Sequence, residues 1–166
     1  METIQTTEQK MVGLNQRIRN ELGRENLNNL NLLSQTIEKT SLEAGVELHL
    51  LLVGGMVKPE KQGRCHKDVD LLVYCPSLAT EYYTGGSHEK FDKFADFFKK
   101  VNKKLEWKME IESPWFMDYE TAGDGKVILS ANQGVPIEIL PTREDCLHSS
   151  FKEYLKSERN PYEVIF

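Results

Sequence analysis

The sequence predicts an α/β (α+β) domain, a mixed sheet of about five strands with flanking helices. Three observations carry that reading. Apolar residues recur at helical spacing near the N-terminus and again at 91–101. Short apolar or alternating runs of strand length occupy 46–53, 68–74, 108–116, 126–131 and 135–140. Gly- and Asn-containing turn signals at 123–125 and 132–134 separate the later runs.

Taken in order, Met11, Leu14, Ile18 and Leu22 mark one helix face, and Leu30, Leu33, Ile37 and Leu42 continue it beyond a polar break at 24–26, predicting two helices. Residues 46–53 form the first strand, and their nearly continuous apolar character predicts burial on both faces. Residues 68–74 form the second. Ser87 is read as an N-cap, with Phe91, Phe94, Phe97, Phe98 and Val101 as the buried stripe of a helix reaching about Leu105. Three strands follow at 108–116, 126–131 and 135–140, and a last helix is expected from Thr142 to about Ser157.

A chain of 166 residues with 39% hydrophobic residues is long enough for one domain with a proper core. We read residues 1–45 as helices packed on or extending that core, and 46–166 as the domain itself. The net charge of −5 excludes a general nucleic-acid-coating surface and leaves room for a local basic site. Cys65, Cys75 and Cys146 are odd in number and widely spaced, as expected of free thiols. Residues 1–14 lack the apolar stretch of a signal peptide and no run approaches membrane-spanning length, so the expectation is a cytoplasmic protein with no membrane partner.

The chemistry concentrates in residues 54–70, GGMVKPEKQGRCHKDVD. Side chains two apart on a strand share a face, so Asp68 and Asp70 point together while Val69 enters the core. Their α-carbons lie about 6.5–7 Å apart, close enough for both carboxylates to meet one hard cation. Mg²⁺ suits such a pair because it binds through a few carboxylates and completes its shell with water and phosphate oxygens. Gly54 and Gly55, lacking a Cβ, allow unusual dihedrals and close approach of backbone N–H groups to an anion. In 135–140 Glu138 lies between Ile137 and Ile139 and faces away from the core. A strand carrying it about 4.8 Å from the Asp68–Asp70 strand would place three carboxylates on one face, the arrangement that holds two ions for displacement at phosphorus.

This pattern resembles the polymerase-β-like nucleotidyltransferase superfamily: an apolar strand, Gly-Gly, twelve residues, Asp-Val-Asp, and a later acid on another strand. Within it, GRCHKDVDLLV is similar to the branch acting on aminoglycosides and lincosamides and to the abortive-infection nucleotidyltransferases, with Arg64 and His66 at matching positions. Two departures stand out: Lys58, Pro59 and Gly63 make a poor helix where the family has one after its glycines, and the third acid is Glu138 rather than the commoner Asp.

The resemblance implies a minimal nucleotidyltransferase palm that moves an NMP from an NTP to a hydroxyl acceptor on a small molecule, an RNA or a protein, releasing pyrophosphate. Asp68, Asp70 and Glu138 would be catalytic and bind two Mg²⁺ or Mn²⁺ ions. Gly54, Gly55, Arg64 and Lys67 would bind the nucleotide. The helices at 5–44 would cover the site, form a homodimer or meet a partner protein. The alternative is a nucleotidyltransferase-like module without turnover, the regulatory or antitoxin half of a protein pair. A phosphohydrolase using the same acids is a third reading, distinguished by release of free phosphate.

Overall fold

The computed structural model describes residues 14–61, Gly63 and residues 66–166. The predicted helix residue Met11, Arg64 and Cys65 lie outside them. Helix α1 (Gln16–Ala44) starts at Asn15, whose side chain accepts the Arg17 N–H, and ends at Gly45, which adopts φ 66° and donates to Leu42. Gly23, at φ 74° and ψ 171°, breaks the helical path next to the predicted polar break, so the two expected helices run nearly end to end across a kink. Ile18, Leu22, Leu30, Leu33 and Ile37 are buried on its inner face.

Strands β1 (His49–Val53) and β2 (Val69–Tyr74) follow, joined by two single-turn 3₁₀ segments, Gly54–Val57 and Pro59–Lys61. Helix α2 (Glu89–Leu105) buries the predicted phenylalanine stripe, with Phe94 and Phe98 rings 5.0 Å apart. His88 rather than Ser87 occupies the cap position, although the Ser87 hydroxyl does accept the Glu89 N–H at 3.1 Å. Next come β3 (Lys108–Glu112), β4 (Trp115–Asp118), β5 (Thr121–Gly123), β6 (Lys126–Ser130), β7 (Ile137–Pro141), helix α3 (Phe151–Ser157) and β8 (Glu163–Val164).

Six strands form one sheet in the order β3-β6-β7-β2-β1-β8, with β2 and β7 parallel and the other pairs antiparallel. One face carries Leu50, Leu52, Leu71, Val73, Val127, Leu129 and Ile139 into the main core with α1 and α2. On the other face Leu51 and Tyr74 pack with Tyr154 and Phe151 from α3 and its approach. The fold is thus a mixed sheet with helices on both faces, as predicted.

Three local differences have physical causes. The run 108–116 is not one strand, because Pro114 cannot donate to a ladder; β3 stops at Glu112 and β4–β5 form a separate hairpin. The last helix begins nine residues late. Thr142 gives both its N–H and its hydroxyl to the Val73 carbonyl, at 3.1 and 2.7 Å, Arg143 bridges to Thr80, and the Glu144 N–H donates to the Thr80 carbonyl, so the chain stays extended through Arg143 and makes only a single 3₁₀ turn at Glu144–Cys146. Only at Ser150, whose hydroxyl accepts from Glu153 N–H, does a cap start α3. Strand β8 had no recognisable pattern, since two residues carry no periodicity; Ile165 N–H donates to Leu50 at 2.8 Å beside it.

Candidate metal and nucleotide site

The parallel β2–β7 register sets Asp70 directly beside Glu138. Asp68 lies one residue before β2, on the same side as Asp70, with Val69 buried between them and its N–H bonded to Pro136. One carboxylate oxygen from each of Asp68, Asp70 and Glu138 lies within 4.8 Å of the others. All three side chains are half-buried. The apolar residues that alternate with them anchor the strands to the main core, which fixes the direction of the acids.

Gly54 completes this wall. It closes β1 at φ 76°, in the left-handed region, and a Cβ there would come within 3.0 Å of the Asp70 Cβ and Cγ. Backbone conformation and the Asp70 carboxylate therefore both require glycine. Gly55 is different: a Cβ would meet the Lys61 stem at 3.3 Å and the His66 ring at 3.5 Å, so its smallness lets the following loop fold back onto the turn.

That loop is fastened by two α1 residues that sequence reasoning did not single out. Glu21 accepts the Gly63 N–H at 2.6 Å and pairs with His66 Nε2 at 2.9 Å, with its side chain only 8% exposed. The Gly63 N–H, followed by His66, holds the Glu21 carboxyl below the ordinary glutamate range. Arg17 donates to the Val57 carbonyl at 3.3 Å. Both face the loop from four residues apart on one helix side, a spacing visible in the sequence but uninformative without the packing partner. Lys67 is exposed just before Asp68.

The electrostatics of the acid cluster are those of a crowded negative site. Burial first, then a hydrogen bond with Glu138 and repulsion from Asp68, push Asp70 up to about 7. Lys126, also missed from sequence, starts β6 and reaches diagonally to Glu138 Oε1 at 2.8 Å. The contact with Glu138 holds its ammonium above the ordinary lysine range. Lys126 offsets one of the three carboxylate charges, and burial beside two other acids favours the neutral form of Asp70.

These residues fit a hard divalent cation. All three donors are carboxylate oxygens, the class Mg²⁺ and Mn²⁺ prefer, and small rotations would bring their oxygens from a 4.8 Å spread into one coordination shell.

No family model matches the chain, and no curated protein matches it in sequence. Solved structures with a similar fold include tRNA nucleotidyltransferases and CCA-adding enzymes. A CCA-adding enzyme in complex with CTP is 19% identical with a TM-score of 0.48, covering 99% of this chain and 32% of its own. One in complex with ATP is 18% identical with a TM-score of 0.47, covering 90% and 30%. The Thermotoga maritima CCA-adding enzyme complexed with tRNA is 18% identical with a TM-score of 0.42, covering 85% and 25%. The chain thus spans between a quarter and a third of the length of these proteins. Among the described residues no helix is long and apolar enough to cross a membrane.

Proposed function

We propose that this chain is a metal-dependent nucleotidyltransferase of the polymerase-β-like superfamily, moving an NMP from an NTP to a hydroxyl acceptor. The observation that carries the reading is the convergence of Asp68, Asp70 and Glu138 across paired strands, beside a glycine turn that only glycine can form. Asp68 and Asp70 would hold two Mg²⁺ or Mn²⁺ ions, and Glu138 would hold one of them. When bound, such ions neutralise the triphosphate and acidify the acceptor hydroxyl.

The chain's own residues do the rest. The turn at Gly54 and Gly55 brings backbone close to the β- and γ-phosphates, and Arg64 and Lys67 offset the charge that develops there. Glu138 takes the acceptor's proton. The acceptor oxygen bonds to the α-phosphorus, the bond from that phosphorus to the bridging oxygen breaks, and pyrophosphate leaves with the electron pair.

A module that binds without turnover is the second reading, favoured by one observation: Lys126 Nζ lies 2.8 Å from Glu138 Oε1, so one of the three acids has a cationic partner within the chain itself. Two measurements separate the readings. In a thermal-shift screen with Mn²⁺ and each NTP, a nucleotide should raise the melting temperature. In a reaction with that nucleotide and hydroxyl acceptors, an enzyme releases pyrophosphate in the parent and none in Asp68→Asn. Free phosphate would identify a phosphohydrolase. Nucleotide binding with neither product identifies the module.

A further inference from the structure

Lys126 has a position that general solubility does not require. It opens β6, two residues before Ile128, the residue opposite Glu138 in the β6–β7 register. Its ammonium lies 2.8 Å from Glu138 Oε1 and 3.7 Å from Glu112 Oε2, and its side chain is 27% exposed against 59% for Glu112. Two acids thus lie within reach of one cation: the inner Glu138, shared with Asp70 and Asp68, and the outer, well-solvated Glu112.

The charges are unequal by design of the register. Three carboxylates face one ammonium, so the fully ionised cluster keeps two negative charges, the charge of one divalent ion. A divalent ion that uses all three acids must draw Glu138 away from Lys126, because a carboxylate oxygen cannot serve an ammonium and an inner-sphere metal equally well. The nearer alternative for the displaced ammonium is Glu112. A triphosphate entering the same face would offer it further partners.

Resting on the metal-binding reading above, we propose that Lys126 is a resident counterion that competes with divalent metal for Glu138. It holds the acids together in the metal-free protein and is handed to Glu112 as metal enters.

The test is Mn²⁺ binding without nucleotide, by calorimetry and by loss of the free-ion paramagnetic resonance signal, on the full chain. The proteins are the parent, Lys126→Met, Lys126→Arg, Glu112→Gln and Asp70→Asn, each checked for native circular dichroism. Removing the competitor should tighten Mn²⁺ binding by about tenfold in Lys126→Met, as expected when one adjacent unit charge is lost from a half-buried site. Lys126→Arg should stay near the parent, and Glu112→Gln should bind several-fold more weakly. A merely structural lysine would weaken binding when removed, so the sign of the change decides. Parent binding that is lost in Asp70→Asn but unchanged or weakened in Lys126→Met overturns the role of Lys126 and leaves the metal site standing. No Mn²⁺ binding in any protein overturns both. If Lys126→Met does not fold, Lys126→Gln and Glu112→Gln carry the same comparison.

Discussion

Replacing Asp70 by Asn should stabilise the protein in the absence of metal, by an amount that grows as pH rises from about 4 to about 7. In the unfolded chain Asp70 ionises near its ordinary value of 3.8, whereas the folded site raises it to about 7. Between those values the native state holds a proton that the unfolded state has lost, so stability falls as pH rises from about 4 to about 7 and is then level. The full difference corresponds to about 4 kcal/mol between protonation states. Water on the half-open face screens the interactions and reduces this to about 2 kcal/mol. Asparagine keeps a donor for Glu138 and removes the charge. Urea denaturation in EDTA should therefore show Asp70→Asn more stable than the parent by about 2 kcal/mol at pH 8, or about 4–8 °C in melting temperature, with little difference at pH 4. No gain at pH 8, or equal gains at both pH values, would refute the reasoning. The first would mean the carboxylate is not strained, the second that the effect is packing.

The same proton makes metal affinity depend on pH: below about 7 Asp70 is protonated, so Mn²⁺ binding measured by calorimetry should tighten by up to about tenfold per pH unit and level off above it. Gly54→Ala should destabilise the fold by more than about 1 kcal/mol, since both φ and the Asp70 contact oppose a Cβ, and it should abolish Mn²⁺ binding in the molecules that still fold. Glu21→Ala should raise hydrogen exchange at the Gly63 amide by about tenfold or more while leaving exchange in β2 and β7 unchanged, because only the loop loses its tether. Phe98→Ala, at a fully buried ring, should cost about 3–5 kcal/mol in chemical denaturation without altering the acid geometry.

The elements with strong periodicity were legible in the sequence. The α2 stripe, the β1 and β2 runs and the Ile137–Glu138–Ile139 alternation each state which face is buried, and that is enough to turn three acids outward. The adjacency of β7 to β2 was only a condition in the sequence, because strand order depends on long-range pairing that no local pattern encodes; the register of Asp70 with Glu138 supplies it. The sequence marks Gly54 as a glycine for unusual dihedrals and an anion-facing backbone, but a further reason for it, the Asp70 carboxylate against its α-carbon, needs three dimensions. Lys126, Glu21 and Arg17 escaped notice for the same reason. A lysine at a strand start and charges on a helix are ordinary surface in one dimension, and they acquire roles only through partners 12 to 45 residues away. The 142–150 segment misled because Thr142 suits a helix start, while the Val73 carbonyl at the end of the β2–β7 ladder and the Thr80 backbone beyond it offered better hydrogen bonds.

The proposed activity requires Asp68, Asp70 and Glu138 to hold divalent metal where the phosphates of a nucleotide meet the Gly54 turn. Crystals grown with Mn²⁺ and a non-hydrolysable NTP test it directly by anomalous scattering. The expected result is a Mn²⁺ peak bounded by the three carboxylates and by phosphate oxygens, with Lys126 turned away from Glu138. A nucleotide bound elsewhere, or a triad still bridged by Lys126 at saturating Mn²⁺, would contradict it.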